Sequence, residues 1–225
     1  MQTSDLFYSQ KTLPWCEQIA PQSFHLHGFA CDQSSVLVSE IESLIAESPL
    51  RHMQTPGGRE MSVAMTNCGR YGWITDRKGY RYSAVDPLRR SVANSQINAA
   101  WPAMPDRFLT LSQTAAAEAG FANFSPDACL INYYSTSAKM ALHQDRDEAD
   151  FSAPIVSVSL GQSAQFLFGG LTRRAETKKI TLQHGDVIVW GGEDRLRFHG
   201  IKSIAAGSHP LIGEGRYNLT FRKAK

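Results

Sequence analysis

The sequence lacks the features that mark several protein classes. Its four cysteines (Cys16, Cys31, Cys68 and Cys129) form no C-x-x-C pair. That argues against a disulfide framework or a zinc ribbon and for a reducing compartment. No run approaches the roughly 18 apolar residues that a membrane helix needs. Residues 1–30 have no basic start followed by a continuous apolar stretch, so no secretory signal is expected. The expected location is the cytoplasm, with no membrane partner. Internal repeats, low-complexity tracts and long Ser/Gly linkers are also missing. Charge of one sign is not in excess: 23 basic and 21 acidic side chains leave a formal net charge of +2. This excludes a polybasic nucleic-acid wrapper but leaves room for a local basic groove.

What is present reads as an ordinary globular chain. Apolar residues make up 42% and charged residues 20% of the 225 positions, enough to build a core without staples. A single domain is expected over residues 1–225, and nothing demands more than a monomer. Fifteen of the 23 basic residues are Arg, whose planar fork suits carboxylates and phosphates.

Periodicity divides the chain into two parts. Apolar positions 37, 38, 41, 44 and 45 predict a helix over Ser34–Ile45 with Ser as its cap. A second helix reads from Asp106 to Ala119, with Phe108, Leu111 and Ala115 on one side and Gly120 as its stop. Beyond residue 128 the pattern becomes short strands: Cys129–Tyr134, Pro154–Leu160, Gln165–Phe168, Lys179–Leu182, Val187–Trp190 and Tyr217–Phe221. The expectation is a mixed part over residues 1–125, followed by an all-β barrel or double-sheet core over residues 126–225. Between the helices, Trp73, Tyr80, Tyr82 and Trp101 lie among Arg70, Arg77, Lys78, Arg81, Arg89 and Arg90. That stretch reads either as an exposed hairpin or as a surface that stacks bases and holds phosphates.

Two of the seven histidines open H-x-D triplets, His143-Gln144-Asp145 and His184-Gly185-Asp186. One such triplet can give two ligands to one ion, and a third from elsewhere leaves open positions that suit Fe(II). Either triplet alone is as readily a surface pair. The second reads as a turn, because Gly185 sits between two apolar runs. The first follows a strand and leads into an acidic, irregular stretch, at the mouth of the expected barrel. His199, in a short strand over residues 196–200, is the candidate third ligand. His25, His27, His52 and His209 read as surface or packing residues. In the tail, alternation sends Tyr217, Leu219 and Phe221 to one face and Arg216, Asn218, Thr220 and Arg222 to the other. If that second face looks inward, its two guanidiniums need anions. A dicarboxylate fits two Arg about 20 Å apart along a strand whose long side chains converge. Asn132 and Tyr134 can add neutral hydrogen bonds.

The pattern Asn132-x-Tyr134…His143-x-Asp145…His199…Arg216-x-Asn218-x-x-x-Arg222 resembles the AlkB family of Fe(II)- and 2-oxoglutarate-dependent dioxygenases. The likeness extends to Thr55–Gly58, Met61–Gly69, Trp101–Pro105, Pro126–Asn132, Ala153–Gly161 and His184–Val187, and covers residues 50–222. It implies an α+β fold with a double-stranded β-helix (jelly-roll) core, N-terminal helices and a nucleotide-recognition lid. It further implies Fe(II) held by His143, Asp145 and His199, with 2-oxoglutarate and O2 as cosubstrates. The 2-oxoglutarate would be bound by Arg216 and Arg222, helped by Asn132, Tyr134 and Asn218. A substrate base would stack between Trp73 and His143, Tyr80 and Tyr82 would sit in the lid, and Asp147 would accept from the exocyclic amino group. Arg173 resembles the family's basic residue beside the pocket. The implied reaction removes N-methyl groups from 1-methyladenine and 3-methylcytosine in single-stranded DNA, with double-stranded DNA or RNA as further substrates. It releases formaldehyde, succinate and CO2.

Departures from the family pattern remove no ligand. Ser137 stands in a turn where the family has Gly, Tyr133 where bacterial relatives often have Arg, and the 88–100 segment is longer. These bear on the lid and on the choice among nucleic acids. Two other readings compete. One keeps the iron chemistry but acts on a protein or small molecule, and the aromatic Trp73/Tyr80/Tyr82 group counts against it. The other is a non-catalytic binding module, which would be expected to lack a ligand or a cosubstrate Arg.

Overall fold

Strand parity sets the architecture. The computed structural model describes residues 14–90 and 97–225; the first 13 residues and the centre of the 88–100 segment lie outside the described residues, as do the side chains of Arg89, Arg90, Ile97 and Asn98. The first strands are β1 (Trp15–Ala20), β2 (Ser23–His27), β3 (Arg51–Gln54), β4 (Glu60–Gly69), β5 (Gly72–Asp76), β6 (Gly79–Ser83), β7 (Val85–Arg90) and β8 (Ile97–Ala100). Then follow β9 (Ala128–Tyr134), β10 (Met140–His143), β11 (Ile155–Gly161), β12 (Ala164–Phe168), β13 (Lys178–Leu182), β14 (Val187–Trp190), β15 (His199–Ile204) and β16 (Arg216–Arg222). Helices α1 and α2 span Ser34–Glu47 and Asp106–Glu118.

An eight-stranded antiparallel sheet runs in the order β1-β2-β14-β11-β16-β9-β4-β3, and a four-stranded one in the order β10-β15-β12-β13. One parity of the large sheet (Cys129, Ile131, Val156, Val158, Leu219, Phe221) packs under Leu37, Ile41, Phe108 and Leu111 of the two helices. The opposite parity (Leu130, Tyr134, Ile155, Trp190) packs against Phe166, Phe168, Leu182 and Ile201 of the small sheet. Covered on both faces, β11 and β14 are buried at every position; β14 accordingly reads as an unbroken apolar run, while β11 is interrupted by Ser157 and Ser159. Two hairpins, β5–β6 and β7–β8, stand apart from both sheets.

Both helices form where their apolar stripes predict. Ser34 does not cap α1 as expected: its hydroxyl donates to the Cys31 carbonyl at 2.8 Å, bracing a short 3-10 turn ahead of the helix. Helix α2 ends at Gly120 (φ 87°), where the amides of Gly120 and Phe121 close on the carbonyls of Ala117 and Ala116. Strands β1–β4, which extend the large sheet on both sides, are not marked by hydrophobic periodicity. Polar residues interrupt these strands (Glu17, Gln18, His25, His52), so alternation is weak there.

Two carboxylates fasten β2 at its ends. Asp186 accepts from the Gly28 amide at 2.8 Å and pairs with His25 at 2.9 Å. The expected turn at 184–186 is present, with Gly185 at φ 85°. Asp194, 2% exposed, accepts from the Gln22 amide (2.7 Å), the Ser23 hydroxyl (2.8 Å) and Arg197 Nε (2.5 Å). Burial alone would raise its pKa, but Arg197 and these donors outweigh it and hold the carboxyl below the usual range. A depressed carboxylate stabilises the fold above its unfolded value of about 3.9, and this contribution vanishes as pH falls through the folded value. Asp194→Ala is therefore expected to cost about 2–4 kcal/mol at pH 7 in urea unfolding. The gap to the wild type should narrow below about pH 4; a gap independent of pH would show that the charge is not its source.

Candidate metal centre and substrate cleft

The small sheet brings the distant histidines together. His143 ends β10 and His199 opens β15, and the two are cross-strand partners. The strand expected over 196–200 in fact begins at His199 and runs on to Ile204. Asp145 lies past the end of β10, so the irregular segment, not strand parity, turns its carboxylate back toward both rings. Its two oxygens lie 3.5 Å from His143 Nε2 and 3.6 Å from His199 Nε2. Candidate ligand atoms of the three residues all fall within 4.8 Å of one another. Each imidazole is oriented from behind. His143 Nδ1 donates to the Ala141 carbonyl at 2.9 Å and His199 Nδ1 to that of Arg197 at 3.0 Å. A carbonyl can only accept, so the proton sits on Nδ1 and both Nε2 lone pairs point at the shared space. His199 is walled by Trp190 and Phe166, and burial together with His143 pushes its pKa down.

Behind Asp145 lies a buried charge network. Arg222 donates to Asp145 Oδ2 through Nε (2.9 Å) and Nη2 (2.5 Å). Burial opposes ionisation of Asp145, but the Arg222 guanidinium beside it outweighs this and holds the carboxyl well below its usual range. Glu148 takes the Tyr82 hydroxyl at 2.6 Å and faces Arg195 at 3.1 Å and Arg222 at 3.6 Å. Arg195 also donates to the carbonyls of Asp145 (2.8 Å) and Ala153 (3.1 Å), tying down both ends of the 145–153 segment. Burial and the carboxylates of Glu148 and Asp145 push the Tyr82 phenol well above its ordinary range, although Arg222 opposes them. It stays a donor.

A narrow interior cavity opens beside the histidines, lined by Asn132, Tyr134, Ser157, Arg216, Asn218 and Arg222 among others. Register explains the grouping: Asn218 lies opposite Asn132, and Arg216 opposite Tyr134. Asn218 is engaged with Ser157 Oγ (2.8 Å) and the Val158 carbonyl (3.0 Å) and accepts from Thr220 (2.9 Å). Arg216 is different. It is 1% exposed and its Nη2 reaches Ser159 Oγ at 2.9 Å, while Nε, Nη1 and the nearby Asn132 Oδ1 have no partner. Burial pushes its pKa below the ordinary arginine value. A buried guanidinium with two idle donors is an anion site.

A wider cleft of about 550 Å³, within the usual size of ligand sites, opens over His143 and Asp145. Trp73, Tyr80, Asp147 and Arg173 line it. Asn67, buried in β4, holds the Trp73 backbone on both sides, accepting from its amide (2.9 Å) and donating to its carbonyl (3.0 Å). The indole stacks on Tyr80 (5.7 Å, 17°) and donates to Asp147 at 2.7 Å. Tyr82 lies off this cleft, against Glu148. Arg81 is committed to Asp76 in a two-pronged pair, so it is not free for phosphate. Tyr133 tilts onto Tyr217 away from both cavities, and Ser137 lies in an exposed turn.

Residues 22–222 match the 2OG-Fe(II) oxygenase superfamily. The alpha-ketoglutarate-dependent dioxygenase AlkB of Escherichia coli is 53% identical over 220 residues, covering 98% of this chain and 97% of that protein. The chain is a member of the AlkB family of Fe(II)- and 2-oxoglutarate-dependent dioxygenases. A more distant relative, the DNA N(6)-methyladenine demethylase ALKBH1D of Arabidopsis thaliana, is 37% identical over 163 residues (61% of this chain, 37% of that protein). The solved structure of OsALKBH1 superposes with a TM-score of 0.76 at 28% identity, covering 93% of this chain and all of that one. The AlkB-family cofactors fit what is present. Two imidazoles and a carboxylate on one face are the donor set of non-haem Fe(II), and the idle donors of Arg216 suit a carboxylate of 2-oxoglutarate. Among the described residues no helix is long and apolar enough to cross a membrane.

Sequence reasoning missed Glu148, Arg195 and Ser159. Glu148 sits within an acidic run that reads as solvated, and Arg195 in a charged stretch, so neither carries a signal of burial. Arg195→Met is expected to weaken Fe(II) affinity about 10–100-fold, because it frees the Asp145 carbonyl and unpairs Glu148. Titration of the metal-free protein with Fe(II) under anaerobic conditions checks this, and unchanged affinity would show that the segment holds itself.

Proposed function

We propose that this AlkB-family chain removes alkyl groups from ring nitrogens of nucleobases in DNA and also in RNA, as direct-reversal repair. The observation that carries the proposal is the cleft that opens onto the histidine–aspartate group with an indole and a carboxylate on its wall. The demethylase name of the Arabidopsis relative supports action on methylated DNA bases, there at an exocyclic nitrogen. Fe(II) held there would couple decarboxylation of 2-oxoglutarate by O2, which yields succinate and CO2, to oxidation of an N-methyl carbon that departs as formaldehyde.

The protein's own groups bind, orient and exclude. His143, Asp145 and His199 hold the metal. Arg216 receives one carboxylate of 2-oxoglutarate on its free Nε and Nη1, with Asn132 and Tyr134 beside it and Asn218 holding the sheet face in register. Arg222 keeps Asp145 ionised and lends positive charge to the cosubstrate cavity. The flipped base stacks on Trp73 with His143 on its other side, and Tyr80 backs the indole. Asp147 exchanges its indole bond for the exocyclic amino group of the lesion, whose positive charge a carboxylate favours. Tyr82 ties the β5–β6 hairpin to Glu148, and Arg173 offers a cation to the backbone.

The finer architecture belongs to the same proposal. Strands β9–β16 divide between the sheets as β9-β16-β11-β14 and β10-β15-β12-β13, alternating except at the β12–β13 hairpin, an order that supports a double-stranded β-helix (jelly roll). Residues 126–225 would form this core, and residues 1–125 the N-terminal extension with α1 and α2 and a nucleotide-recognition lid built on the two hairpins. The protein would act as a cytoplasmic monomer, with single-stranded DNA preferred because an unpaired base costs least to extrude.

Formaldehyde release from a short oligonucleotide carrying 1-methyladenine is expected only with both Fe(II) and 2-oxoglutarate. Asp145→Ala should abolish it in a folded protein; retained turnover would discard the metal assignment. Trp73→Ala should lower demethylation at least about tenfold, the scale of one lost base stack, while sparing 2-oxoglutarate decarboxylation without substrate. Equal loss of both activities would remove the stacking role.

A further inference from the structure

A second cluster of metal-binding side chains lies at the edge of the large sheet, formed by residues distinct from the iron ligands. Glu17 of β1 faces His25 of β2 across the ladder, and His27 follows at i+2 on the same face. Candidate ligand atoms of these three residues fall within 4.8 Å of one another. His25 is 1% exposed, and its Nε2 lies 2.9 Å from Asp186 Oδ2. That carboxylate already accepts from the amides of Gly28 (2.8 Å) and Gln183 (2.7 Å), so it is an acceptor and His25 Nε2 carries the proton. The lone pair is therefore on Nδ1, which is buried and has no hydrogen-bond partner. A histidine donating one nitrogen to a carboxylate while the other stays bare is the arrangement that orients metal-binding imidazoles. Nearby, His27 Nε2 meets Glu17 Oε2 at 3.1 Å, a contact in which a proton sits where an ion could.

We propose that Glu17, His25 and His27 form a second metal site, for a borderline divalent cation of the Zn(II) type, with water completing the coordination. Two imidazoles and one carboxylate are a zinc donor set. Metal-free, the rings of His25 and His27 stack at 3.6 Å and 28°, and His27 lies flat on Trp15 at 3.8 Å. Stacked rings cannot aim both lone pairs at one ion, so His27 turns about its ring torsion on binding. Its side chain is 27% exposed and Glu17's is 48%, which leaves room for that motion and for entry of the ion. The bound cation would cross-link β1 to β2 and, through His25, to the Asp186 turn.

Zinc bound per chain after equilibrium dialysis of the full-length protein against micromolar Zn(II) tests this, since Zn(II) also enters the iron site. Two equivalents are expected in the wild type, one in Asp145→Ala, one in His27→Gln and none in the double variant. Glu17→Gln, at an exposed position, should weaken the second equivalent at least about tenfold. His27→Gln should leave 2-oxoglutarate turnover and the metal-free melting temperature unchanged. Equal zinc content in wild type and His27→Gln, or zinc retained by the double variant, would overturn the site.

Discussion

Two guanidinium groups buried on the inner face of one strand govern the chemistry of this protein. Alternation along β16 sends Leu219 and Phe221 under the helices and turns Arg216 and Arg222 into the space between the sheets. A guanidinium buried there without an anion is costly. For Arg222 the fold supplies two, Asp145 and Glu148. For Arg216 it supplies only a serine hydroxyl, and two of its donors stay idle. The paired cation sets the charge of Asp145, the proposed metal ligand, and the unpaired one offers a place to the proposed anionic cosubstrate.

The same network links the metal centre to the substrate side. Asp145 is bonded to Arg222, Arg222 approaches Glu148, and Glu148 receives the hydroxyl of Tyr82 from the β5–β6 hairpin. Trp73, on the neighbouring strand of that hairpin, is pinned to β4 by Asn67 and reaches Asp147, two residues from the metal ligand. Hairpin, acidic segment and proposed iron ligands are thus one hydrogen-bonded assembly. Arg195 closes it by binding the carbonyls of Asp145 and Ala153. A metal-dependent oxidant benefits from such coupling, because reacting atoms held to within about an ångström are what productive turnover requires.

Much of this could be read from the chain before any coordinates. The parity of Arg216, Asn218 and Arg222, the H-x-D triplet at 143–145 and the stripes of both helices are local patterns, and local patterns survive in sequence. The likeness to the AlkB family picked out the same residues. What stayed hidden was non-local or disguised. Strands β1–β4 carry too many polar residues to alternate cleanly, and their partners lie far along the chain. Glu148 and Arg195 look like solvated charges until folding buries them against each other. His25 reads as packing; its bare Nδ1 emerges only once Asp186, 161 residues away, takes the other nitrogen.

The most direct measurement is an anaerobic crystal structure of the protein with Mn(II) in place of iron and with 2-oxoglutarate. Manganese is expected on Nε2 of His143 and His199 and on Asp145, with a carboxylate of the cosubstrate on Nε and Nη1 of Arg216. Manganese held by other side chains, or a cosubstrate that leaves Arg216 unpaired, would contradict this arrangement.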